Sequence, residues 1–120
     1  MVVKEIEFMD KNIKEAIVKV GNDTFEIVCF SCPCELKCGD IINNPLECVD
    51  VCNIMLSINI TEVAQKISYF GYKLQGVIVE KKKGLVETNG ILFHINEDQL
   101  PGDCYNGCYI SFETNRIDIW

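Results

Sequence analysis

Residues 61–71 read TEVAQKISYFG, the one stretch of this chain with a full set of helix marks, and the fold follows from how it is placed. Thr61 stands where a capping side chain belongs, and Glu62 falls in the first turn, where the helix dipole favours a carboxylate. Gly71 suits the position just past a helix end, where the backbone turns left-handed. Val63, Ile67 and Phe70 recur at i, i+4 and i+7, one stripe able to lie on a sheet. The spacing predicts a helix over about 61–70.

To either side the chain reads as strand. Ala16, Val18 and Val20 share one face, Gly21-Asn22-Asp23 supplies a turn, and Phe25, Ile27 and Cys29 then alternate with Glu26, Val28 and Phe30. Period two about a turn of these residues is a hairpin. Residues 2–8 add a strand with Ile6 and Phe8 inward, Glu5 and Glu7 outward. Beyond the helix, residues 72–80 read as a buried strand that Lys83-Gly84 turns back. Asn89-Gly90, the strongest short hairpin signal, leads into Ile91, Phe93 and Ile95. Ile110 and Phe112 begin a last strand running towards Ile117 and Ile119. Residues 45–59 carry two patterns. Asn44, Pro45 and Glu47 look like a helix start, with Cys48, Val51, Cys52, Met55 and Leu56 at helical spacing; Ile58 and Ile60 alternate about Asn59. A short helix over about 45–55, then extended chain, is expected.

The expected fold class is mainly β, with seven to nine short strands and one or two helices. A helix between two groups of strands is the plan of an oligonucleotide/oligosaccharide-binding-like (OB-like) barrel, so a small antiparallel β-barrel of that kind is expected. The layout alone carries that expectation, and such a fold would not fix a function.

A chain of 120 residues fits one compact domain over 1–120. Its net charge of −7 repels phosphate backbones, so nucleic acid is not an expected partner. The densest positive run, Lys81-Lys82-Lys83 before Gly84, reads as a hairpin tip in water. The sequence shows no apolar leader and no stretch near the ~20 apolar residues that span a bilayer. A cytoplasmic protein away from membranes, with reduced thiols, is therefore expected.

Eight cysteines are the one chemical oddity, four of them within CFSCPCELKC at residues 29–38. Three pairs share C-x3-C spacing: 34/38, 48/52 and 104/108. Structural zinc needs four ligands in a tetrahedron, usually two close pairs from distant parts of the sequence. Cys34 and Cys38 with Cys104 and Cys108 would supply them, Cys32 being a substitute ligand. Iron–sulfur ligation is not expected, because C-x2-C-x-C-x3-C is one residue short of the ferredoxin run. Cys29-Phe30-Ser31-Cys32 is formally C-x-x-C, but proline follows and no helix opens there to activate a thiol. The plainest expectation is that thiols fill the core, as free cysteine commonly does. Cys29, Cys48, Cys52 and Cys108 lie on apolar faces, whereas Cys32, Cys34, Cys38 and Cys104 gather near turns.

No enzyme is expected. There is no G-x-S-x-G, H-E-x-x-H, P-loop or G-x-G-x-x-G, and the single histidine, His94, points away from the Phe93 face. The chain reads as a non-catalytic binding module, regulatory or immunity-like, for a protein or small polar ligand. Tyr69, Tyr72, Tyr105, Tyr109 and Trp120 are its candidate anchors. Zinc binding and single-strand binding on an OB-like face are the alternatives, the latter resting on Tyr72-Lys73 and Lys81–Lys83.

Overall fold

The computed structural model describes residues 1–119. Nine strands run in sequence order: β1 (Val2–Asp10), β2 (Glu15–Gly21), β3 (Glu26–Ser31), β4 (Leu46–Ser57), β5 (Val63–Lys66), β6 (Tyr72–Glu80), β7 (Leu85–Thr88), β8 (Ile91–His94) and β9 (Tyr109–Asp118). Two 3₁₀ turns, Lys81–Lys83 and Glu97–Gln99, are the helical segments among the described residues. None is long and apolar enough to cross a membrane.

Turn chemistry sets the local pairs. β2 and β3 meet around Asn22, whose side-chain oxygen accepts from the Thr24 amide at 3.0 Å. Period two buries Ala16, Val18, Val20, Ile27 and Cys29 on one face. β7 and β8 meet at Asn89-Gly90, with φ of 51° and 80°, the tight turn that matches strand twist. Gly84, at φ 66°, closes the β6–β7 turn. A Cβ there would lie 1.9 Å from the Ile95 carbonyl oxygen, so the position takes only glycine.

A barrel arises from long-range pairing. β9 pairs antiparallel with both β4 and β6, β6 with β7, and β7 with β8. The ring closes through a short parallel contact of β4 with β8, Leu46 beside Phe93 and Glu47 beside His94. Leu46, Leu74, Ile78, Val86, Phe93 and Phe112 are buried within it. β1, β2 and β3 form a wing joined to the barrel where Phe30 pairs with Asp118 and the Ile119 amide donates to the Phe30 carbonyl at 2.9 Å. The Val28 amide donates to the Tyr72 hydroxyl at 2.9 Å, a second attachment. Residues 39–42 run along the start of β1, with the Val3 amide on the Asp40 carbonyl and the Gly39 amide on the Val3 carbonyl. One continuous core spans wing and barrel.

Both expected helices are replaced by extended backbone. Residues 63–66 form β5 against β6, and 67–71 are the hairpin turn between them, the Ile67 amide bonding the Gly71 carbonyl at 3.0 Å. Thr61 and Gly71 are turn residues as much as caps, and a lone ten-residue helix is marginal in water. Pairing with β6 supplies a ladder that such a helix lacks. The segment expected as a helix over 45–55 lies in β4, whose β-branched Val49, Val51 and Ile54 suit a pleated surface. Helical spacing also arises there because the strand is irregular. Asp50 and Asn53 take φ of 55° and 54°, and the register against β9 shifts between Cys52 and Met55. With the mid-chain helix goes the layout that pointed to an OB-like barrel; the architecture is a closed five-strand β-barrel with a three-strand wing.

Candidate functional site

The thiols do not converge. Cys34 is buried beside β1 and β2, its amide donating to the Lys14 carbonyl at 2.7 Å, whereas Cys38 is exposed in the following turn. Cys104 is buried at the far end of β6, where Lys81 Nζ donates to the carbonyls of Cys104 and Gly102 at 2.8 and 3.1 Å. Cys108 is half-buried there, its carbonyl accepting from the Ile78 amide at 2.8 Å. Cys32, the substitute ligand, is exposed, with its thiol towards the Ile13 carbonyl. Among the described residues no three Cys, His, Asp or Glu side chains are grouped to hold a metal ion. All eight cysteines are free thiols.

The division of cysteines between core and turn is partly reversed. Cys29 and Cys48 are core residues and Cys108 packs against the core, but Cys52 is exposed because the bulged end of β4 turns it outward. Cys34 and Cys104, near turns, are buried. Burial pushes the Cys29 and Cys48 thiols well above the ordinary range; the charge of Cys48 adds to this for Cys29, and that of Glu47 for Cys48.

His94 does point away from Phe93, and it has a partner that no local pattern announced. Its Nδ1 lies 2.6 Å from Glu47 Oε2, both side chains about one-third exposed. The parallel β4–β8 contact places them side by side. In the same row Asp118 receives a bidentate pair from Arg116, at 2.6 and 2.9 Å, and this bonding raises the guanidinium pKa further. Arg116 stacks 4.5 Å from the Phe30 ring.

A cleft of about 180 Å³ lies on the outer face of the wing. Glu5 and Glu7 on β1 form one wall, and Ile17, Lys19 and Val28 the floor. The end of β5 and the turn after it supply the other wall, Lys66 and Tyr69. Lys66 Nζ donates to the Tyr69 carbonyl at 2.5 Å and lies 5.5 and 5.2 Å from the rings of Tyr69 and Tyr72. Partial burial, then the charge of Lys19, lowers its pKa. Phe70 stacks edge-on with Tyr69 and with Phe30, at 4.8 and 6.3 Å. Of the expected anchors Tyr69 and Tyr105 are exposed, Tyr109 is half-buried and Tyr72 is buried; Trp120 lies outside the described residues.

An apolar ridge follows the bulge in β4. Met55, Leu56, Ile58 and Ile60 are 59%, 41%, 99% and 78% exposed. Gln75 Nε2 donates to the Thr61 carbonyl at 2.7 Å, and the Asn59 amide donates to Ser57 Oγ at 3.2 Å, so the ridge is held in place. Lone exposed aliphatics are ordinary, but four exposed within six residues are a dense apolar run of the kind found at interaction sites. Comparison with protein-family models, with characterised proteins and with solved structures finds no match to this chain.

Proposed function

We propose that this protein is a non-catalytic binding module, regulatory or immunity-like, that docks a basic protein partner on the Met55–Ile60 ridge. The carrying observation is the exposure of Ile58 and Ile60 on a segment that Gln75 already holds ordered. A preordered apolar surface loses little entropy on docking, and its isoleucines gain contact energy as water leaves. The net charge of −7 attracts a basic partner and speeds encounter. Eight free thiols fit a reducing compartment such as the cytoplasm.

The test pairs crosslinking capture with a ridge variant. A captured partner, purified and titrated, is expected to be basic and to bind more weakly as salt rises. Ile58→Asp/Ile60→Asp should lower its affinity roughly tenfold or more without changing the melting temperature. Equal binding by variant and wild type rejects the ridge.

Single-strand nucleic-acid binding on an aromatic and basic face is a second reading. Phe30, Phe70, Tyr69 and Tyr72 interleaved with Lys66 and Arg116 support it. Against it stand the net charge, the engagement of Arg116 by Asp118 and the burial of Tyr72. Binding of an oligonucleotide with a steep salt slope favours this reading over the first; flat titrations remove it.

A further inference from the structure

The charges of the wing cleft do not cancel locally, and the pattern of the remainder defines a ligand. Lys19, on the floor, lies 3.3 Å from a Glu5 oxygen and 3.9 Å from a Glu26 oxygen, so its charge is met within the protein. Glu7 has no cationic side chain within 4.0 Å among the described residues, and Lys66 has no carboxylate; its polar partner is the Tyr69 carbonyl. One unmatched carboxylate and one unmatched ammonium therefore stand on opposite walls.

Register gives the width of the wing that lies between them. Glu7 pairs with Ile17, and Ile17 with Phe30, so the β1 wall and β3 are two strand spacings apart, about 10 Å. Lys66 reaches towards this face from beyond β3, across Val28. Between the two charges the floor is the apolar Ile17 and Val28 together with Lys19, whose charge Glu5 and Glu26 meet, and Tyr69 flanks it. The volume of about 180 Å³ is below the usual range for drug-sized ligands, roughly 300–1,000 Å³.

From these features we infer that the cleft binds a small zwitterion whose ammonium and carboxylate are joined by an apolar stem. The ammonium meets Glu7, the carboxylate meets Lys66, and the stem lies over Ile17 and Val28. A carboxylate here also offsets the desolvation and the Lys19 repulsion that depress the Lys66 pKa. A simple anion would leave Glu7 unmatched, and a simple cation would leave Lys66 unmatched. The two charges belong to one molecule in a free ω-amino acid, and to one residue in a lysine that ends a polypeptide. These residues are not those of the ridge, so the two assignments fail separately.

The experiment is a titration of the 120-residue chain, followed by amide NMR shifts, with 6-aminohexanoate, hexanoate and hexylamine. The zwitterion is expected to bind at least tenfold more tightly than either singly charged analogue, with shifts centred on Ile17, Val28 and Tyr69. Glu7→Gln and Lys66→Met should each weaken it about tenfold. Glu7→Gln, at an exposed side chain without a cationic partner, should leave the melting temperature unchanged, and Lys66→Met, which also loses the Tyr69 carbonyl bond, should lower it only slightly. Gly-Gly-Lys with a free carboxylate, compared with its C-terminal amide, identifies the source. Tighter binding of the free-acid peptide than of 6-aminohexanoate assigns the peptide terminus; weaker binding assigns the free molecule. Hexanoate or hexylamine binding as well as the zwitterion, or no shifts in the cleft with any of them, overturns the inference.

Discussion

Cys29 and Cys48 lie within each other's electrostatic reach in the core, and burial disfavours the thiolate of each. Unfolded thiols ionise near pH 8.5, whereas these two ionise only well above that. Between the two pKa values the native state binds more protons than the unfolded one, so stability falls as pH rises, by up to about 1.4 kcal/mol per pH unit and per thiol. Tyr72, raised by burial, adds in the same direction at higher pH. Denaturant melts at pH 7.5, 9 and 10 should show a steady loss. Cys48→Ala, about 1 kcal/mol less stable at neutral pH, should lose less on going alkaline; parallel slopes would exonerate the thiol. Native alkylation should reach the exposed Cys32, Cys38 and Cys52 and spare Cys29 and Cys48 until unfolding. At this scale the sequence was legible where a residue's neighbours lie two positions away on its own strand, as for Cys29 beside Ile27. Glu47 is matched by His94, 47 positions away, and Glu7 shares a cleft with Lys66, 59 positions away, and no local periodicity encodes either.

Elements differ in how far local chemistry decides them. The hairpins at 16–30 and around Asn89-Gly90 could be read directly, because turn residues and alternation agree. The stretch 61–71 could not: its caps and stripe fit a helix, and only a partner strand, β6, tips it to a hairpin. That hairpin has a structural task. It carries Tyr69 and Phe70 over the wing and leads into Tyr72, whose hydroxyl accepts the Val28 amide. Tyr72→Phe should cost about 1–2 kcal/mol, since it leaves that amide without a partner. Hydrogen exchange should quicken at Val28 more than at Val86 in β7. Equal effects at both amides would mean that Tyr72 acts through packing alone.

Across the whole molecule, β9 joins everything. It contacts β4 and β6 within the barrel and β3 of the wing, and none of these pairings was legible, because strands far apart in sequence choose partners by global packing. Ile117, fully buried on β9, is expected to cost about 2–5 kcal/mol when cut to alanine, a large share of the roughly 5–15 kcal/mol that holds a domain. If wing and barrel are one cooperative unit, amides of β2 and β7 should lose protection together in Ile117→Ala. Loss in β7 alone would make the wing an independent unit. The position of β9 also has a consequence for biosynthesis. The ribosome delivers it after the eight other strands, so during translation the edges of β3, β4 and β6 wait unzipped, with Ile110, Phe112 and Ile117 still to arrive. The nascent polypeptide is thus most prone to wrong intermolecular pairing just before β9 emerges, and a holding chaperone would matter most in that interval.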